Sequence, residues 1–385
     1  MNEIAKKKSI GWLAAAHTVC DTYSGFMNPL MPFIAANLGM SLGLAGAVIS
    51  ISHIFSSMMQ PVFGFFADNM LKRLFIFWGL ILGAIFIPLT AIAPNVKILI
   101  IFMVLGSIGN SFFHPQATGF VHKFANPKSN AMGLFMSFGS IGFALGPILS
   151  TAIVENWGMT KLPCTTIVGL ITAGLMFYYI PKMSKTTEPI IKKEFLKTFK
   201  DILANKSMRY LLIVSMMKTL VTNGACVLLP FLWRDMSYSP FFIGKALFGF
   251  ILAGGLGSFI SRKAEILFGT KAVLYFSMCI SFPLMLGFAF TYQNHPILST
   301  IIFIVMGFTT MLAQPLMVLM GQKIFPQYKS VIAGFLVGFA WGIIALSLSV
   351  IGKFAEYFGI VNVLTILFIL PVLSSYFIKH LNCPE

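Results

Sequence analysis

Four polar side chains, His17, Asp21, Ser24 and Asn28, recur at spacings of four, three and four inside an apolar stretch from Ile10 to Phe33. At about 100° per residue they fall within roughly 60° of arc on one helix face. A carboxylate with an imidazole one turn away can bind and release a proton. An acid held in an apolar segment marks a functional site by default. The simpler alternative is a permanently paired acid held by His17.

Other polar groups sit in similar surroundings. Lys218 lies about ten residues into its own apolar run, and Asn223 lies beyond it. A lysine at such depth costs at least ~2.5–3.5 kcal/mol on insertion scales, so a water-filled cavity or an ion pair with Asp21 must offset it. His53 shares a stripe with Gly46, Ser50, Ser57, Gln60 and Gly64, and Asn110 and His114 share one helix face. Gln314 stands directly before Pro315. Asn28, His53, Asn110, His114, Lys218, Asn223 and Gln314 are therefore the candidate lining of a substrate cavity, with Asp21 and His17 the candidate proton site. A lone histidine or asparagine in hydrocarbon also serves as a hydrogen bond between helices, and His114 has the further option of capping the backbone broken by Pro115.

The elements that must carry these residues are long helices. Of 385 residues 57% are hydrophobic and 10% charged, against about 25% charged in soluble domains. Apolar runs near the ~20 residues that a bilayer requires recur throughout. Twelve are expected, at about 10–36, 42–66, 74–93, 97–121, 131–153, 162–181, 208–233, 241–260, 271–291, 297–321, 330–352 and 357–378. Asp21 is the one carboxylate inside any of them. The formal charge of +16 is spread over alternate loops instead of one soluble patch, which argues against nucleic acid. Twenty-one Lys and Arg fall on one side and four on the other, so both termini are expected in the cytoplasm. The run after Lys6, Lys7 and Lys8 is too long and too polar for a cleaved signal. The five cysteines lack metal or redox spacing.

The chain repeats itself. Phe102–Gly106 (FMVLG) returns as Phe303–Gly307 (FIVMG), and Pro32-Phe33, Ser41 and Gly46 return as Pro230-Phe231, Ser239 and Gly244. Two six-helix halves, 1–181 and 208–385, joined by a basic cytoplasmic linker at 182–207, form a pseudo-two-fold parallel repeat typical of secondary transporters. The fold class expected is an all-α polytopic membrane protein. Phe195, Phe199 and Ile202 give the linker an amphipathic face suited to the anionic inner leaflet.

Two motifs narrow the family. Gly64, Asp68, Lys72 and Arg73 between spans two and three resemble the loop signature of the major facilitator superfamily, with Asn69 and Leu71 replacing its usual Arg and Gly. Its counterpart at Gly257 to Lys271 keeps basic residues but no Asp. Gly133, Gly142, Gly146 and Pro147 in the fifth span resemble the antiporter signature of exporters in that superfamily, with Ser150-Thr151 in place of its final glycines. Together with His17, Asp21, Gln60-Pro61 and Phe113-His114-Pro115, these look like the fosmidomycin-resistance branch. The resemblance implies the major facilitator fold and a conformational latch at Gly64, Asp68, Lys72 and Arg73. It also implies proton-coupled antiport, the efflux of small, often anionic compounds, and antibiotic resistance. Physically, Gly139, Gly142 and Gly146 permit close helix contact, and Pro147 permits a bend.

The expected activity is secondary active export of a small polar or anionic compound by alternating access at the cytoplasmic (inner) membrane. The proton gradient supplies the energy; no cofactor or metal is needed. One chain contains both halves, so a monomer is expected to function, with lipid and a small-molecule substrate as its partners. An uptake permease for an organic anion or sugar is the alternative, and a non-transporting receptor a lesser one. An enzyme is not expected, since no nucleophile–base pair or phosphate-binding glycine loop is present.

Overall fold

The computed structural model describes residues 3–60, 72–124, 131–181, 200–326 and 329–381. Among them the chain is helical, with no strand. In order come α1 (Glu3–Ser24), α2 (Met27–Asn37), α3 (Leu42–His53) with a π-helical turn at Ile54–Met58, α4 (Lys72–Leu89), α5 (Val96–Phe124), α6 (Ala131–Trp157) and α7 (Thr166–Tyr179). Then follow α8 (Lys206–Asp235), α9 (Pro240–Phe268), α10 (Thr270–Thr291), α11 (Pro296–Leu312), α12 (Gln314–Ile324) and α13 (Lys329–Gly334). After a second π-helical turn at Phe335–Phe339 come α14 (Ala340–Phe358), α15 (Ile360–Leu367) and α16 (Ile369–Lys379). Ten segments among the described residues are long and apolar enough to cross a bilayer, and Leu42–Met58 is a shorter apolar helix. Large side chains such as Phe259, Phe290 and Ile297 are exposed, as hydrocarbon contact allows.

The chain forms two compact units. Unit 1 comprises Met1–Thr186 with Pro230–Phe248, and unit 2 comprises Thr187–Leu229 with Gly249–Glu385. Unit 1 contains a cluster in which Leu13, Ala16, Leu80, Phe113, Phe120 and Phe135 are buried together. Unit 2 packs Leu211, Val214, Leu274, Met317 and Leu336 into its own.

The expected first span is two helices. α1 ends at Ser24, and Phe26 N–H closes a tight turn on Tyr23 O at 3.1 Å before α2 begins. The turn falls before Pro29 and Pro32, although proline is the usual helix breaker. Pro29 is instead absorbed in the first turn of α2, where backbone N–H groups lack intrahelical partners anyway. Gly25 sets the position of the turn: a Cβ there would stand 2.6 Å from Phe143 O of α6. Asn28 therefore belongs to α2, and the continuous four-residue stripe ends at Ser24. The Ser24 hydroxyl itself is taken up locally, donating to Cys20 O at 3.3 Å.

Glycines hold α1 against α6. A Cβ at Gly142 would collide with the Thr18 backbone carbonyl, and one at Gly146 would meet Gly25 Cα at 2.6 Å. Thr18 Oγ1 crosses this seam to donate to Phe138 O at 3.0 Å. Without hydrophobic drive inside lipid, such close packing and interhelical hydrogen bonds are what hold helices together. On the other side of α1, Tyr23 donates to Thr165 O at 2.6 Å and accepts from Gly169 N–H at 3.1 Å. Tyr23→Phe removes both of these hydrogen bonds; we expect thermal unfolding in detergent to show a loss of about 1–3 kcal/mol.

Candidate functional site

The i,i+4 spacing on α1 brings His17 Nε2 to 3.2 Å from Asp21 Oδ2. His17 is buried, and its Nδ1 lies 2.8 Å from the backbone oxygen of Phe135 on α6. Its ring stacks on the Phe135 ring with centroids 4.1 Å apart. The third member comes from α5: His114 Nε2 lies 3.1 Å from Asp21 Oδ1. The two imidazoles meet edge to face at 5.0 Å. Each carboxylate oxygen thus has its own histidine. The Asp21 side chain is 16% exposed, which leaves it partly accessible.

This arrangement fixes a proton count. A carbonyl oxygen only accepts, so His17 Nδ1 must carry hydrogen in its bond to Phe135 O. Its Nε2 then faces Asp21 Oδ2 with a lone pair unless a second proton sits on one of the two atoms. The His17–Asp21 contact is complete only with that extra proton. His114 meets the other oxygen by donating its Nε2–H. The three groups bring their ligand atoms within 4.8 Å of one another, a donor set with the composition of a cation site. Both gaps to the carboxylate are already hydrogen-bond distances, so a proton alone completes it.

α6 shapes the site as well as closing it. A Cβ at Gly139 would overlap the His17 ring and stand 2.8 Å from Asp21 Oδ2. The glycine run of the fifth span is therefore the wall of the carboxylate site. One turn before His114, Asn110 Oδ1 accepts from Cys20 Sγ at 3.5 Å. Asn110 and His114 do share a face of α5, and that face looks onto α1.

The other candidates are dispersed. His53 is half-buried at the end of α3, immediately before the π-helical turn. Asn28 is half-buried on α2. Gly64 and Asp68 lie outside the described residues. Lys72 and Arg73 open α4. Pro147 lies inside α6.

In unit 2 the Lys218 ammonium donates to Gln314 Oε1 and lies 3.8 Å from Met311 Sδ. Among the described residues no carboxylate pairs with it, so Gln314, not an acid, receives the ammonium. Asn223 is buried, and its Nδ2 lacks a hydrogen-bond partner among the described residues. Five residues along α8, it stands about 140° around the helix from Lys218, so the two do not share a face.

Sequence reasoning missed three contributors. Phe135 acts through its backbone oxygen, which leaves no trace in residue type. Gly25 looks like any membrane glycine until α6 is placed against it. Glu265, in the counterpart of the first-half loop signature, receives the Arg262 guanidinium and the Thr270 hydroxyl at 2.8 Å, so an acid is present there although Asp is not.

Comparison with known proteins agrees with this framework. Residues 13–349 match the description of the Major Facilitator Superfamily. The fosmidomycin resistance protein of Escherichia coli (strain K12) is 22% identical over 95% of this chain and 90% of its own. An uncharacterised MFS-type transporter of Bacillus subtilis (strain 168), YfnC, is 21% identical over 94% and 90%. Among solved structures, a bacterial homologue of the human lysosomal transporter Spinster superposes with a TM-score of 0.83 at 13% identity, covering 99% of this chain and 98% of that one. The likeness to the nucleoside transporter NupG gives 0.78 at 15%, over 97% and 99%. With helices throughout the described residues and a family match across most of its length, this chain belongs to the major facilitator superfamily and is a multi-pass membrane transporter.

Proposed function

We propose that this transporter is a proton-coupled exporter of a small polar or anionic compound in the cytoplasmic membrane, with both termini inside. The observation that carries the reading is the His17–Asp21–His114 set. Its geometry leaves a place for one proton beyond the one that its backbone anchor requires, and it sits against the helix seam formed by Gly139, Gly142 and Gly146. A change in the packing of α1 on α6 changes the geometry of the carboxylate, and protonation of the carboxylate changes what that packing must accommodate. Such reciprocity is what coupling requires. Asp21 and His17 hold the proton, and His114 orients the second oxygen. The resistance proteins among its relatives, including the quinolone resistance protein NorA of Staphylococcus aureus (24% identical over 83% of this chain), support outward transport.

The test uses everted membrane vesicles energised to an acidic interior, with a pH-sensitive dye, and a susceptibility screen of the expressing strain. An exported compound added to the vesicles dissipates the gradient, and the expressing strain tolerates more of it. A strain that becomes more sensitive to every active compound would reverse the direction to uptake. Vesicles whose gradient no transported compound dissipates would remove proton coupling.

A further inference from the structure

Lys218 in unit 2 is a buried cation that the proton site does not use. It is 1% exposed, its Nζ donates to Gln314 Oε1, and among the described residues only the weakly accepting Met311 sulfur stands beside it. An ammonium offers three N–H groups and accepts none, so donor capacity remains. Gln314 must turn its oxygen to the ammonium, which fixes where its amide nitrogen goes. That Nε2 is buried and has no hydrogen-bond partner among the described residues. A buried charge without counter-charge and an orphaned amide are both costly unless something completes them.

The backbone holds Gln314 in this position. It begins α12 just after the break at Ala313, and Pro315 behind it removes a backbone N–H. The carbonyl so released, Met311 O, accepts from Ser258 Oγ at 3.2 Å. The residue type also matters. A glutamate at 314 would neutralise the lysine permanently, whereas glutamine orients the ammonium and leaves its charge uncompensated. The result is a positive donor and a neutral donor separated by the width of one amide.

We propose that Lys218 and Gln314 form an oxyanion-binding pair, Lys218 Nζ taking one oxygen of a carboxylate, phosphate or sulfate group and Gln314 Nε2 another. This rests on the reading of the chain as a transporter of a polar or anionic compound, and it assigns substrate-anion recognition to these two residues of unit 2. Asp21 serves the proton and takes no part in it.

Thermal unfolding of the purified full chain in detergent, at constant ionic strength, tests the pair with acetate, acetamide, inorganic phosphate and sulfate. Acetate, phosphate or sulfate should raise the midpoint of the wild type and of Asp21→Asn, and acetamide should not. The ranking of the three anions distinguishes a carboxylate site from a phosphate or sulfate site. Lys218→Met and Gln314→Glu should each weaken the response about tenfold or more. Lys218→Met removes a buried charge and is expected to fold; the acetate–acetamide contrast in the wild type needs no variant at all. An anion response unchanged in Lys218→Met or Gln314→Glu, equal responses to acetate and acetamide, or no anion response in the wild type would each overturn the proposal. Loss of proton coupling without loss of anion binding would instead concern the transport reading, so the two can fail separately.

Discussion

Asp21→Asn is expected to abolish proton-driven transport and to leave the folded protein intact. The carboxamide is nearly isosteric with the acid. Its Oδ1 still accepts from the His114 Nε2–H, now about 3.1 Å from Asp21. Its Nδ2 faces His17 Nε2 across the present 3.2 Å gap and donates to that lone pair with no added proton. His17 keeps its bond to Phe135 O. Every hydrogen bond of the set is therefore made, and stability should change by less than about 1 kcal/mol. What disappears is the exchangeable proton, because an amide neither gains nor loses one in the working range. The variant resembles the proton-loaded site held permanently. In proteoliposomes it should still exchange substrate for substrate, while accumulation against a gradient driven by pH falls to background. If Asp21→Asn still concentrates substrate when only a pH gradient is supplied, the proton site lies elsewhere.

The contrast between His17 and His114 explains how much of this site could be read from the chain. The His17–Asp21 contact is local: four residues on a helix place two side chains together whatever the rest of the protein does. The His114–Asp21 contact depends on the rotation of α5 against α1. Nothing in the spacing around His114 reports that rotation, so a role in the substrate cavity and a cap for Pro115 both stay open on sequence alone. Lys218 gave the same difficulty from the other side. Its depth is legible from helix rise, but its partner is not: the spacing leaves a water-filled cavity and an acid partner both open, and the structure supplies an amide. The broad fold was plain in the apolar runs because a bilayer imposes length on every span. The break in the first span was not, because it depends on the contact of Gly25 with a carbonyl 118 residues away. The sequence periodicity places Asn28 on the stripe, but α1 does not sustain that periodicity beyond Ser24.

The helix seam gives the second large effect, and it separates a packing role for the fifth-span glycines from a merely compositional one. A methyl group on residue 142 would fall on the carbonyl of Thr18, with Thr18 Cα at 2.8 Å. Backbone atoms inside a helix cannot rotate out of the way, so α1 and α6 must separate. Overpacking of this kind costs about 1–3 kcal/mol, and Gly142→Val should cost more than Gly142→Ala. The separation also pulls Phe135 O away from His17, because both seam and anchor lie on α6. Gly142→Ala should therefore lower the unfolding midpoint and impair proton-driven transport together. Gly11, on α1, is the control: a Cβ there meets nothing within 4 Å. Gly11→Ala should be neutral or stabilise by up to about 1 kcal/mol through helix propensity alone. If the two alanine variants unfold at the same temperature and transport equally well, close approach of α1 to α6 does not control the carboxylate site. If Gly142→Ala loses transport while Asp21→Asn retains it, the seam acts on access to the pathway instead of on the proton.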